Sequence, residues 1–170
     1  SRKVSAIEPA VLSISSVNGG RFHTPNVIPE EATLSGTVRT FSEPVRCQIE
    51  AEMARMVKTI AESEGCRGDF RYDRLTPALI NSADAVEHVR GFVTRRFGAQ
   101  AAAPIDVSMG GEDFAEYLFK VPGAMIRVGI RDEVHQAALH HPTFDFNDEV
   151  IPAAATMLAG VALERLAALA

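Results

Sequence analysis

Between residues 32 and 41 apolar and polar side chains alternate. Leu34, Gly36 and Val38 fall on one side; Thr33, Ser35, Thr37 and Arg39 fall on the other. A period of two predicts a strand with one face turned to a core. Val11 to Val17 predicts another strand just upstream, and the segment between them carries Asn18-Gly19-Gly20, Pro25 and Pro29. This is turn chemistry, so the two strands are expected to pair antiparallel. The period then changes. Val45, Ile49, Met53, Met56 and Ile60 recur at helical spacing behind Ser42, a candidate N-cap, and Pro44, harmless in a first turn. Gly65 is the expected stop. Phe70 and Tyr72 alternate with Asp69, Arg71 and Asp73 and predict a short third strand. The order β-β-α-β is three quarters of a βαββαβ split sandwich whose first strand and helix are missing.

After Thr76-Pro77 the character changes. A helix is predicted from Ser82, with Val86, Val89, Phe92, Val93 and Phe97 inward and Gly98 as its stop. Ile105 to Met109 predicts a strand, Gly110-Gly111 leads into a helix carrying Phe114 and Leu118, and Met125 to Val128 predicts another strand. The last helix runs from near Pro152 to the end. Such alternation predicts helices covering a mainly parallel sheet. The fold class expected is therefore α/β, in two domains over residues 1–76 and 77–170, with the boundary near residues 76 to 82.

Composition narrows the function classes. Hydrophobic residues make up 46% and charged residues 23%, as in a soluble folded protein. The formal charge of −5 and the lack of a Lys/Arg block argue against nucleic acid as a partner. The longest apolar run, Val150 to Leu163, is shorter than the ~20 residues that cross a bilayer, so a buried helix and no membrane partner are expected. The first residues show neither the basic segment nor the apolar core of a secretory signal. Cys47 and Cys66 make no metal-type spacing. Two reduced thiols in a cytoplasmic protein are expected.

Three places could carry chemistry. Gly110-Gly111-Glu112-Asp113 follows a predicted strand and opens a helix. Glycines there admit close approach of a ligand to the backbone, and free N–H groups attract negative charge. A tight turn with two acids complementing the helix dipole is the plainer alternative, and a phosphate loop is excluded by the missing Lys-Ser/Thr. His140 and His141 sit beside Pro142, before Asp145, Asp148 and Glu149. Adjacent histidines in extended chain point opposite ways, so one of them would face a site, as a metal ligand, or both would simply lie on the surface. Arg39, on the polar face of its strand, has the fork that captures a carboxylate, or it pairs with a neighbouring acid. His88 reads as a solvent-facing helical residue, and His23 and His135 have no partner in the pattern.

Seven blocks occur together: Glu8-Pro9-Ala10-Val11, Gly19-Gly20, Asn26-Val27-Ile28-Pro29, Gly36-Thr37-Val38-Arg39-Thr40-Phe41, Met109-Gly110-Gly111-Glu112-Asp113-Phe114, Val121-Pro122-Gly123-Ala124, and Leu139-His140-His141-Pro142 through Phe146. In this order they resemble the C-terminal portion of a zinc-type aminoacylase/carboxypeptidase family amidohydrolase, in the branch of hippurate and auxin-conjugate hydrolases. The resemblance implies a partial ferredoxin-like dimerisation domain followed by the C-terminal part of an α/β metallopeptidase catalytic domain. It implies a cofactor of two divalent metal ions, zinc or manganese, with His140 rather than His141 as the last metal ligand. Asn26 and Arg39 match positions that hold the substrate's free carboxylate, often in the partner subunit's active site, and Gly110 and Gly111 match a loop lining the substrate cleft. The loop before Asn26 is about two residues longer than usual and leaves His23 without a role. The family's other ligands and its general base match nothing here. The implied function is that of a fragment of a metal-dependent enzyme hydrolysing N-acyl or N-aroyl amino acids, a homodimer through the first domain, inactive without the missing half. The rival is a non-catalytic dimerisation or ligand-binding module.

Overall fold

The computed structural model describes residues 4–5, 7–168 and 170. Residues 1–3 and 6, in the first expected domain, and residue 169, near the end of the last helix, lie outside the described residues. The chain divides into two compact units. One holds the chain up to Leu79 together with Val107–Tyr117; the other holds Ile80–Asp106 and the chain from Leu118 onward.

The first unit is built on a hairpin. Strand β1, Ala10–Gly19, pairs antiparallel with β2, Ala32–Thr40. The pairing contains an adjustment the alternation did not predict. Leu12 faces Val38 and Ile14 faces Gly36, but the register then slips so that Ser16 faces Ser35 and Val17 faces Leu34. By simple parity Val17 would point away from Leu12 and Ile14. The extra residue, Ser15, restores it to their face, which is what a bulge does. Helix α1, Glu43–Ser63, packs on β2 and buries Val45 and Ile49. Its end is a Schellman motif: the Cys66 amide donates to the Ala61 carbonyl, the Gly65 amide donates to the Glu62 carbonyl, and Gly65 takes φ 69°. Arg74 ties the following segment back to the helix through Glu43 and Glu50. Cys47 and Cys66 are free and exposed.

The second unit centres on two helices. Helix α2, Ala83–Phe97, ends at Gly98 with φ 92°, and Phe92 and Val93 are buried. The short α3, Ala115–Leu118, follows the glycine pair, and all of it but Leu118 belongs to the first unit. Helix α4, Ile151–Ala167, lays Met157 and Val161 on Phe92 and Val93. A Cβ on Gly160 would come within 2.1 Å of Phe92 Cζ, so glycine lets the ring lie against the α4 backbone.

Several expectations are corrected. The segments at 69–73, 105–109 and 125–128 are not strands, and the hairpin is the one sheet among the described residues. Among the described residues neither the partial βαββαβ sandwich nor the mainly parallel sheet is seen. A segment becomes a strand only when another strand presents complementary N–H and C=O groups, and among the described residues none does so; at Met125 the Asn81 side-chain amide takes that place. The last helix was expected to be buried. Met157 is its one buried residue, and Leu158, Leu163 and Leu166 are exposed. By length and composition the stretch Asp148–Ala167 is long and apolar enough to cross a membrane. Only its stripe facing α2 finds apolar partners. His88, expected to face solvent, is half-buried with Nε2 3.2 Å from the Val161 carbonyl of α4.

Candidate active-site elements

In the first unit the polar face of β2 carries Arg39 to the glycine loop. Arg39 Nη1 donates to the Met109 carbonyl at 3.2 Å, across 70 positions of sequence. Among the described residues no carboxylate lies within ion-pair distance of this exposed guanidinium. Its remaining donors suit an external carboxylate. A Cβ on Gly111 would sit 3.6 Å from Arg39 Nη1 and 3.6 Å from Thr76 Oγ1. The guanidinium, a hydroxyl and a bare stretch of backbone thus face one point. The loop is braced locally by the Gly110 amide donating to Ser108 Oγ at 3.1 Å and the Phe114 amide donating to Glu112 Oε1 at 3.2 Å. Of the residues singled out by sequence, Arg39 and Gly111 come together. Asn26 lies exposed in the loop between the strands and makes no hydrogen bond to either among the described residues. Thr76 escaped the sequence reading, because nothing in a lone Thr-Pro marks it.

In the second unit His140 is exposed and takes φ 67°, the one non-glycine residue with positive φ among those described. It is the third residue of a turn closed by the His141 amide donating to the Ala138 carbonyl at 3.0 Å. A left-handed histidine costs of order 1 kcal/mol, and such conformations cluster at functional sites. The two adjacent rings differ. His141 Nδ1 accepts from the Thr143 amide at 3.3 Å and lies 2.8 Å from its hydroxyl. The His140 ring has no hydrogen-bond partner among the described residues and is free to ligate. No three His, Cys, Asp or Glu side chains converge as a metal cage among the described residues. A metal ion would find one imidazole here and no complete donor set.

The histidine thought to be without a partner, His135, has one. Its Nδ1–H donates to Asp132, 2.8 Å from both carboxylate oxygens. Asp132 Oδ1 also accepts from the Val134 amide at 2.8 Å and the His135 amide at 2.7 Å, and Asn147 Nδ2 donates to Oδ2 at 2.8 Å. The Gln136 side chain donates to the Asp132 carbonyl. Asn147 in turn accepts from the Glu149 amide at the start of the last helical segment. The Asp-x-x-His spacing is the one signal that could have suggested this cluster.

The hydrogen bond from the His135 amide, and then that from its ring, hold the Asp132 carboxyl well below its ordinary 3.8, at about 2. A lowered carboxylate stabilises the fold in its charged form. That contribution is complete above the ordinary value and is lost as pH falls from about 3.8 through about 2. An NMR titration of the Asp132 carboxyl should place its midpoint near 2. A midpoint at the ordinary carboxylate value would show that these bonds do not persist in solution.

The chain belongs to Peptidase family M20/M25/M40, whose sequence profile matches residues 6–164. It is 32% identical over 163 residues to an N-acetylcysteine deacetylase of Bacillus subtilis (strain 168), covering 96% of this chain and 41% of that protein. It is 28% identical over 174 residues to the IAA-amino acid hydrolase ILR1-like 2 of Arabidopsis thaliana, covering 98% of this chain and 38% of that protein. The crystal structure of the Bacillus subtilis YXEP protein, described as a dinuclear metal-binding peptidase of the M20 family, superposes with a TM-score of 0.76 at 30% identity. That match covers 92% of this chain and 42% of the other. The chain therefore spans about two fifths of the length of the relatives it matches.

Proposed function

We propose that this chain supplies the carboxylate-binding wall and one metal ligand of an amidohydrolase acting on N-acyl or N-aroyl amino acids. The M20 membership supports a hydrolase role, and the names of two relatives, an N-acetylcysteine deacetylase and an IAA-amino acid hydrolase, support a substrate with an amide next to a free carboxylate. The observation that carries the reading is the Arg39 guanidinium, without an ion-pair partner among the described residues, held over the bare backbone of Gly111. Arg39 binds the substrate carboxylate, Gly110 and Gly111 let the substrate lie close to the main chain, and Asn26 assists from the loop between β1 and β2. His140 holds one of two divalent ions, zinc or manganese; such ions polarise the scissile carbonyl and activate water when bound. The chain's own part is to orient the acyl-amino acid by its anionic end and so align the amide. Pairing of two copies through the first unit, and residence in the cytoplasm, complete the proposal.

A hydrolytic metal needs about three protein ligands and an open position. The described residues bring no three His, Cys, Asp or Glu side chains together as a donor cluster. These 170 residues alone are expected to carry no stoichiometric metal and to leave an N-acyl amino acid intact. Metal analysis after loading with zinc or manganese, with an assay for released amino acid, checks both. Stoichiometric metal with turnover would overturn the view that the remaining donors lie outside this chain.

A further inference from the structure

We propose that Asp132 is a positioning residue for His140: it clasps shut the loop that presents the imidazole. This rests on the reading of His140 as a metal ligand, but its geometry stands apart from it. Asp132 and Asn147 lie 15 positions apart and are joined by a 2.8 Å hydrogen bond. The chain between them holds no helix or strand and has the length of a compact Ω-loop. At its far side sits the left-handed His140 in its closed turn.

Four donors at the loop's neck converge on one carboxylate, and the Gln136 side chain adds a bond to the Asp132 main-chain carbonyl. Oδ1 takes the Val134 and His135 amides, both oxygens take the His135 ring, and Oδ2 takes Asn147. The Asn147 side chain meanwhile accepts from the Glu149 amide, so the neck is stapled to the start of the last helical segment. Charge-assisted bonds of this kind are roughly twice as strong as neutral ones. The rest of the loop has little else to hold it. Leu139, His140, His141 and Thr143 are exposed, and the bonds beyond the neck are short-range turns. A positive φ at a histidine persists only where its surroundings over-determine it. The clasp supplies that constraint, because an open neck would let the turn relax and would leave the imidazole without a defined direction.

The test is amide exchange on the metal-free protein and on Asp132→Ala, with Asp132→Asn as a milder second variant. The Val134 and His135 amides lose their acceptor directly and decide nothing. The deciding amides are His141 and Phe144, which bond to Ala138 and His141 and never to Asp132. The clasp predicts roughly ten- to a hundredfold faster exchange at both, with the Phe92 and Val93 amides of α2 unchanged. It also predicts a shifted and broadened Cε1–H resonance for His140, with Asp132→Asn in between. Unchanged exchange at His141 and Phe144 in either variant overturns the proposal. So does faster exchange spread equally over α2 and α4, the mark of a merely destabilised unit. Adding zinc separates the two readings: if the His140 resonance ignores zinc in a parent protein that binds it, the ligand reading fails while the exchange result still decides the clasp.

Discussion

Replacing Arg39 with alanine in the assembled enzyme is expected to lower kcat/KM for an N-acyl amino acid about a hundredfold, or ~2.7 kcal/mol of lost transition-state binding. The reason is geometric. The guanidinium is aimed by its bond to the Met109 carbonyl, carries no acidic partner among the described residues, and stands 3.6 Å from the Cβ position that glycine leaves empty at residue 111. A substrate carboxylate entering there meets a preformed fork. The matching acyl-amine, which lacks the carboxylate, should react nearly as well with the variant as with the parent. Arg39→Lys should recover part of the loss, since a point charge remains without the planar donor pair. Equal losses on both substrates would show that Arg39 merely braces the glycine loop.

The second large effect is structural. Gly36→Ala is expected to break the β1–β2 pairing around the bulge and to cost the first unit ~3 kcal/mol. A Cβ at residue 36 would fall 2.0 Å from the Ser13 carbonyl oxygen and 3.0 Å from Ile14 Cα. These are backbone atoms, so no rotamer change relieves the contact. A lone hairpin has little stability in reserve. Gly19→Ala is the control, because its Cβ would meet the Ala32 Cβ at an ordinary 3.4 Å. Thermal melts and strand amide exchange should separate the two variants clearly. Similar behaviour of both would mean that the bulge is not where the backbones approach most closely. A hairpin opened in this way would also release Arg39 from the glycine loop, so Gly36→Ala should lower activity without touching the substrate.

What could be read from the residues in order was whatever depends on near neighbours. The apolar spacing of α1 and α2, and the glycines at 65 and 98 that end them, need only a few turns of chain to act. Alternation and turn chemistry placed both strands of the hairpin, and seven ordered blocks placed the family. Tertiary structure decided everything that needs a distant partner. Phe70, Tyr72 and the stretch Met125 to Val128 carry strand-like patterns, but no second strand pairs with them among the described residues, and the Met125 backbone bonds to the Asn81 side chain instead. The Ser15 bulge that rescues Val17, the bond from Arg39 to a carbonyl 70 positions away, and the Asp132 clasp across 15 positions are likewise invisible to local periodicity. A pattern states which face a residue prefers; only the folded backbone determines what stands opposite it, and both the candidate carboxylate site and the His140 loop are made of such opposed pairs.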